Sequence, residues 1–298
     1  MTTLLVSGAS GHMGQRVLHH LLHTLQVPAD QIIATSRKPD ALAEWAAQGV
    51  TVRAADFEDP ASLAAALQGA ERMLLVSTDA IDRPGRRLAQ HRAAVSAAAQ
   101  AGVRHVVYTS MPKPEGSPLL IAPDHAGTEA ALAESPLPEW TVLRNHWYFE
   151  NLFMYLPPVL ASGKWFVATG DGRAANIARD DLARAAATAL AGATTGKTTL
   201  TLSGSKAYSS AEIAALVSAT VGKPIEVIQV PLEGLVQGMI AAGLPEPVAR
   251  ILASFDTNTA EGRVAEVTGD YRALTGVDPL PFEAWLAENQ AVLAGLAA

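Results

Sequence analysis

A glycine-rich run near the N-terminus has the composition and spacing of a phosphate-binding turn. Glycines recur at every third position from Gly8 to Gly14, and the residues between the first two are small. Such glycines let the main chain turn tightly and let a diphosphate approach the amides that open the following helix, where the helix dipole attracts negative charge. An apolar segment precedes the run and an amphipathic segment follows it. We predict that a dinucleotide is bound by Gly8, Ser10, Gly11, His12, Met13 and Gly14.

Two cations follow the second predicted strand, where an NAD-binding enzyme would present an acidic residue to the adenosine ribose. Arg37 and Lys38 stand there, directly after Ser36. A guanidinium can hold a ribose 2′-phosphate through two hydrogen bonds, and a lysine adds charge. We therefore expect NADPH as the cofactor, with weaker binding of NADH. The alternative is that the two cations form an ordinary solvated turn.

Polar residues also follow other predicted strands and are weaker candidates for contacts with the cofactor. Parallel strands end at one edge of their sheet, so residues at their ends can share one ligand. Asp56 and Phe57 would meet the adenine. The remaining candidates line the cofactor groove and are Ser77, Thr78, Thr109 and Ser110. Strand ends carry polar residues in many proteins, which is the alternative explanation.

The segment that follows the sixth predicted strand combines amide and aromatic side chains. Asn145 could donate a hydrogen bond to a carbonyl, and Trp147 and Tyr148 offer flat surfaces to an aromatic ring. We predict catalytic roles for Asn145 and Tyr148. The predicted substrate-binding residues are His146, Trp147, Asn151 and Met111. The alternative is that the aromatic residues only pack the junction between two domains.

The elements that must position these residues alternate between short apolar runs and longer alanine-rich stretches. This alternation predicts an α/β fold with a Rossmann-like, doubly wound parallel sheet and a smaller C-terminal α/β lobe. Six strands are predicted over residues 3–7, 31–36, 50–54, 72–77, 104–109 and 140–143. In the first helix, the spacing places His19, His20 and His23 on the solvent side. Ser209 and Glu212 form a capping-box pattern at the start of a later helix.

Glycine and proline become frequent after position 145, and the strict alternation ends there. We therefore expect an NADP(H)-binding domain over residues 1–145, with core strands that later segments can complete, and a smaller substrate-binding lobe over residues 146–298.

The composition excludes several classes of function. The net charge is −7 and no cysteine is present. Scattered cations in an acidic chain argue against nucleic acid or an anionic membrane as a partner, and the absence of cysteine excludes disulfides, thiolate metal sites and thiol catalysis. His19 and His23 have the spacing of metal ligands but lack a third ligand nearby, so we expect no metal. The chain enters an apolar strand within its first residues, and we expect an unprocessed, soluble, cytoplasmic protein.

The sequence resembles the NmrA-like branch of the atypical short-chain dehydrogenases, and within it the type 2 NAD(P)H:quinone oxidoreductases and the triphenylmethane reductases. The resemblance runs through almost the whole chain, and the segment 143–151 is its most specific part. The motifs that carry it are the run 8–14, Arg37, and residues 47–57, 90–92, 108–110, 125–129 and 143–151. It implies an NADPH-binding Rossmann-like domain, a small C-terminal lobe, and a quinone that enters the cleft between them. A homodimer is expected only by analogy.

The usual acid of short-chain dehydrogenases is missing. These enzymes use a Tyr-x-x-x-Lys pair, in which the lysine lowers the pKa of the tyrosine. Where the pair would fall, this sequence has His125 and Glu129, which share one helix face. They either relay a proton, which would give His125 a catalytic role, or form a surface pair. A quinone needs less acid catalysis than a ketone, because its reduced anion is phenol-like, with a pKa of roughly 10.

We therefore predict an enzyme that transfers hydride from NADPH directly to a quinone-like small molecule. The alternatives are a redox sensor that binds NADP(H) without turnover, and a reductase of triphenylmethane dyes.

Overall fold

The structure, a computed structural model, describes residues 2–297. Met1 and Ala298, the outermost residues of the two predicted domains, lie outside the described residues. The strands of the described chain are β1 Leu4–Val6, β2 Ile32–Ser36, β3 Thr51–Ala54, β4 Arg72–Leu75, β5 His105–Ser110, β6 Glu139–Asn145, β7 Lys164–Val167, β8 Arg173–Ala174, β9 Lys197–Leu202, β10 Tyr208–Ser209 and β11 Glu226–Gln229.

Helices connect these strands. They are α1 His12–His19, α2 Ala43–Ala47, α3 Pro60–Ala66, α4 Arg86–Gln100, α5 Ala122–Glu134, α6 Leu152–Ser162, α7 Arg179–Thr188, α8 Ser210–Val221, α9 Leu232–Ala241, α10 Glu246–Ala260, α11 Asp270–Thr275, α12 Phe282–Glu288 and α13 Gln290–Ala297. Short 3₁₀ or π turns cover His20–Thr24, Ala29–Gln31, Pro39–Leu42, Phe149–Asn151 and Ala189–Ala193. No helix of residues 2–297 is long and apolar enough to cross a membrane.

Seven parallel strands form the central sheet in the order β3-β2-β1-β4-β5-β6-β9. The chain runs outward from β1 to β3 and then returns to place β4 on the other side of β1. The strand order therefore reverses between β1 and β4, as in a Rossmann-type sheet, and ligands of such sheets bind at the carboxyl edge near this reversal. The predicted fold class is confirmed, and all six predicted strands are present with ends shifted by at most two residues.

Helices cover both faces of the sheet, because parallel strands are buried on both sides. On one face, α1 and α7 pack against the strands, with Val17 and Leu18 beside Leu182 and Ala186 in one apolar cluster. On the other face, α3, α4 and α5 form a second cluster with the sheet.

The second half of the chain completes this central layer. β9 pairs with β6 along its whole length, and α7 lies against α1. The prediction that His20 faces solvent is wrong, because α7 covers that side of α1. His20 is 6% exposed, and its Nε2 lies 3.1 Å from the carboxylate of Asp180 in α7.

The remaining segments form the smaller α/β lobe. β7 pairs with β11 in parallel, and β8 pairs with β10 in the antiparallel sense. Phe149, Leu156, Phe282 and Trp285 belong to the apolar cluster that joins α6, α8, α12 and α13. The predicted capping box is present at Ser209 and Glu212, where α8 begins.

Candidate active site

The glycine-rich turn joins β1 to α1 at the carboxyl edge of the sheet. Gly8 has a φ of +59°, a conformation that residues with a Cβ rarely adopt. A Cβ on Gly14 would lie 2.5 Å from the carbonyl oxygen of Gly8, so this glycine lets the helix close onto the turn. Within the described chain, α1 begins at His12, and the preceding Gly11 supplies no side-chain cap. Backbone N–H groups that no side chain caps, next to a glycine-rich turn, can donate hydrogen bonds to a diphosphate group.

His12 and Met13, the other two residues predicted to bind the cofactor here, differ in what they can offer a ligand. The His12 side chain is exposed beside the turn, whereas the Met13 side chain belongs to the apolar core. Met13 therefore has only its backbone amide to offer a ligand.

The end of β2 lies beside this turn. The hydroxyls of Ser10 and Ser36 are 2.8 Å apart, and the Ser36 hydroxyl also accepts the backbone N–H of Lys38 at 3.1 Å. Arg37 and Lys38 are exposed, and neither side chain has an ion pair or hydrogen bond among residues 2–297. Two unengaged cations beside a glycine-rich turn could hold a phosphate group.

The other predicted cofactor contacts are held by local hydrogen bonds. The backbone N–H of Ser77 donates to the hydroxyl of Thr109 at 2.8 Å, which joins the ends of β4 and β5. Asp56 accepts the backbone N–H of Glu58 at 2.9 Å, and Phe57 packs against the core cluster beneath α3 and α4.

Glu129 forms an ion pair that the sequence does not predict. Arg144 donates to both carboxylate oxygens of Glu129, through Nε at 3.1 Å and Nη2 at 2.6 Å. The hydroxyl of Ser110 donates to the same carboxylate at 2.6 Å. His125 is buried and has other partners, so His125 and Glu129 do not form a pair within the described residues.

His125 belongs to a buried polar network that reaches across β5 to α4. The Nε2 atom of His91 accepts the backbone N–H of Thr78 at 3.0 Å, so the proton of that ring is on Nδ1, which lies 2.9 Å from the hydroxyl of Thr128. The hydroxyl of Tyr108 is then left to donate to Nδ1 of His125, 2.8 Å away. His125 consequently carries its own proton on Nε2.

Burial keeps this network uncharged. It lowers the pKa of His91 to about 3 and that of His125 well below the ordinary value, and the nearby Arg87 acts in the same direction. Burial also raises the pKa of Tyr108. At neutral pH His125 is therefore a neutral hydrogen-bond donor and not an imidazolium acid.

A large apolar cavity of about 1090 Å³ opens from the carboxyl edge of the sheet into the smaller lobe. Met111, Asn145 and Trp147 line it from the sheet side, and residues of α6, β7, α9 and α10 line it from the lobe. The rings of Trp147 and Phe255 lie 4.0 Å apart between their centroids and form an aromatic wall. Both polar atoms of the Asn145 amide are buried without a partner in the described chain. The cavity therefore suits a flat, mostly apolar molecule with a polar group to receive this amide.

The other three predicted residues of this segment do not line the cavity. His146 is buried with both ring nitrogens unpartnered among the described residues, and burial lowers its pKa to about 4. The Tyr148 ring stacks against Trp147, and the guanidinium of Arg179 lies 5.3 Å from its centre. Asn151 is buried where α6 begins. Tyr148 nevertheless lies close to the site: burial raises its pKa, and the Asn145 amide is near enough to oppose part of that rise.

Two charged residues near these sites were not predicted from the sequence. Arg87 is 6% exposed, donates from Nε to the carbonyl of Thr78 at 2.7 Å, and has an unpartnered Nη1 within the described chain. Asp256 lines the cavity from α10. Asp256 was detectable, because it interrupts the apolar stripe that Val248 and Leu252 form at four-residue spacing. Nothing local to Arg87 distinguishes it from a surface cation.

Comparison with known proteins places the chain among reductases. Residues 1–274 match the model of the NmrA-like family, which confirms the resemblance inferred from the sequence. The chain is 37% identical to quinone oxidoreductase 2 of Escherichia coli (strain K12) over 257 residues, or 86% of this chain and 88% of that relative.

Two solved structures have the same fold throughout. One is the NADPH-dependent quinone oxidoreductase of Escherichia coli complexed with NADPH, with a TM-score of 0.89, 35% identity, and coverage of 98% of this chain and 99% of that one. The other is the triphenylmethane reductase of Citrobacter sp. complexed with NADP(H), with a TM-score of 0.87, 31% identity, and coverage of 99% and 100%.

Proposed function

The chain belongs to the NmrA-like family, and we propose that it is an NADPH-dependent reductase that transfers hydride directly to a quinone or a similar electrophilic aromatic acceptor. The observation that carries this proposal is the position of the apolar cavity. The cavity opens at the carboxyl end of β6, the same edge of the sheet at which the glycine turn follows β1. A cofactor on the turn and an aromatic molecule in the cavity would therefore meet at this edge.

The residues present fit NADPH. The backbone amides of His12, Met13 and Gly14 would hold the diphosphate, and Arg37 and Lys38 would hold the 2′-phosphate. Ser77, Thr78 and Thr109 would border the cofactor groove. The reduced cofactor, when bound, supplies the hydride.

The acceptor would be held by the aromatic wall and the amide of Asn145. Trp147 and Phe255 offer a flat surface of the size of an aromatic ring. The unpartnered amide of Asn145 would donate to a carbonyl of the acceptor, where negative charge develops as hydride arrives. Tyr148, beside Trp147, would orient that indole ring. His125, held by Tyr108 through Nδ1, would donate a hydrogen bond from Nε2.

The hydrogen bonds around β5 explain why an easily reduced acceptor is favoured. A ketone yields an alkoxide and needs a strong proton donor, which short-chain dehydrogenases form from a tyrosine and a lysine. Here Ser110 is bound to the Glu129–Arg144 ion pair, and burial raises the pKa of Tyr108, so neither is an acid of that kind. A quinone yields a phenolate-like anion with a conjugate-acid pKa of roughly 10, so its reduction needs a weaker proton donor from the protein.

The direct test is the oxidation of NADPH by the purified protein, followed by absorbance, with benzoquinone or menadione as the acceptor. We expect turnover that depends on the acceptor and exceeds the rate without protein. Absence of turnover with every quinone, together with retained binding of NADP⁺, would instead support the redox sensor.

A triphenylmethane dye is the second candidate acceptor, because the Citrobacter sp. enzyme named for these dyes shares the fold over the full chain. The same assay with a cationic dye ranks the two acceptors by kcat/KM. A cytoplasmic location and a homodimer are further parts of this proposal, and gel filtration tests the second.

A further inference from the structure

Asp256 is the one carboxylic acid that lines the apolar cavity within residues 2–297. It lies on α10 directly after Phe255, whose ring contacts Trp147 in the aromatic wall. Val248, Leu252 and Thr259 occupy neighbouring turns of the same helix face and also line the cavity. The carboxyl group is therefore presented to the space in which an acceptor would lie.

The carboxyl group has few partners. The backbone N–H of Ala168 donates to Oδ2 at 2.7 Å, and Oδ1 has no hydrogen bond within the described chain. The other titratable side chains that line the cavity are Tyr155 of α6, Lys164 of β7 and Tyr208 of β10, and none of them has an ion pair or hydrogen bond with Asp256. One oxygen thus remains available to a ligand.

Burial raises the pKa of Asp256 to about 6, and the N–H of Ala168 opposes this shift only in part. An unpaired carboxyl group in an apolar wall costs stability, and such groups cluster at functional sites. A carboxylic acid that titrates near neutral pH can give up a proton and regain it from water in each cycle.

We propose that Asp256 donates the proton that completes reduction of the acceptor, an inference that rests on the proposed function. The quinone takes up a hydride, which brings two electrons and one proton, and becomes the hydroquinone monoanion. The O–H bond of the Asp256 carboxyl group breaks, and its proton forms the second phenolic O–H bond. The carboxylate left behind recovers a proton from water. The transfer is downhill, because the acceptor anion has a conjugate-acid pKa of roughly 10.

The test compares wild type with Asp256→Asn, which is nearly isosteric and can still accept the N–H of Ala168. The matched control is Glu246→Gln, which removes an exposed carboxylate in the first turn of the same helix. The turnover number kcat is measured against pH with saturating NADPH and a series of quinones whose reduced anions differ in basicity.

We expect the wild-type kcat to fall as pH rises through the pKa of Asp256, because the acid form is lost. Asp256→Asn should lack this limb and be slower by about tenfold or more at acid pH. The deficit should grow as the reduced anion becomes more basic, since water then replaces the acid less well. Glu246→Gln should behave as wild type.

The outcomes that overturn the proposal are distinct. If Asp256→Asn binds NADPH and keeps the wild-type kcat and pH profile, Asp256 is not the donor, and the proposed function stands. A rise in KM at unchanged kcat assigns Asp256 to binding and likewise overturns proton donation. If wild type itself reduces no acceptor, the proposed function fails, and this inference fails with it.

Discussion

The hydroxyl of Tyr108 lies 2.8 Å from Nδ1 of His125, and the two side chains share one buried hydrogen bond between β5 and α5. His91 cannot accept the Tyr108 proton, because its own Nδ1–H faces Thr128. Tyr108 is thus the donor that sets the tautomer of His125. Burial raises the pKa of Tyr108 and keeps its hydroxyl protonated, so this tyrosine orients the His125 ring and is not itself an acid.

Replacing Tyr108 with Phe should destabilise the protein by about 1–3 kcal/mol, because Nδ1 of the buried His125 loses its donor. Urea unfolding measures the change in the free energy of unfolding. Tyr155→Phe is the control, since the hydroxyl of Tyr155 has no hydrogen bond in the described chain and its loss should cost less. Equal losses in the two variants would contradict the assigned role of Tyr108.

Replacing Arg37 with Ala should weaken NADPH about 10- to 100-fold and NADH much less, because only NADPH carries the 2′-phosphate. Dissociation constants from the quenching of tryptophan fluorescence or from calorimetry provide the measurement. Arg104→Ala removes an exposed arginine just before β5, at the opposite edge of the sheet, and should change neither constant. The same weakening of both coenzymes by Arg37→Ala would show that Arg37 does not contact the 2′-phosphate.

Replacing Gly14 with Ala should impair NADPH binding and lower stability. The new Cβ would lie 2.5 Å from the carbonyl oxygen of Gly8 and 2.6 Å from Cα of Ala9, and both are backbone atoms, so the turn itself must move. Gly295→Ala is the control, because a Cβ there meets nothing within 4 Å and alanine favours its helix. NADPH affinity and the midpoint of thermal unfolding are compared. An unaltered affinity in Gly14→Ala would mean that the turn is not the diphosphate site.

The raised pKa of Asp256 also predicts that the stability of the protein depends on pH, whether or not Asp256 takes part in catalysis. Its pKa rises from the ordinary 3.8 to about 6 on folding, so the folded state binds more protons than the unfolded state between these values. Stability is then lost as pH rises through this window, and the penalty is complete above it. Asp256→Asn should accordingly be more stable than wild type by about 3 kcal/mol in mildly alkaline solution, and the gain should vanish in acid. A gain that is the same at every pH would exclude titration of Asp256 as the cause.

Local patterns were sufficient for the strands, the glycine turn and two helix starts. The strand signals rest on short apolar runs, and the turn rests on seven consecutive residues at positions 8–14. The sequence Asp59-Pro60 predicts a cap at the start of α3, as Ser209 does for α8. Asp59 and Ser209 each bond an amide two or three residues away. Because every one of these interactions lies within a few residues along the chain, spacing alone determines whether it can form.

The contacts between side chains depend on elements that are far apart in the sequence. His20 meets Asp180 only because α7 packs on α1, and Glu129 binds Arg144 only because α5 lies over the end of β6. Phe255 meets Trp147, and Asp256 lines the cavity, only because α10 folds back toward the sheet. Residue types and spacing therefore establish the family, the fold class and the glycine-rich turn. Which polar groups become buried, paired or exposed to the cavity follows from helix packing, because desolvation and partner geometry arise only once distant segments come together.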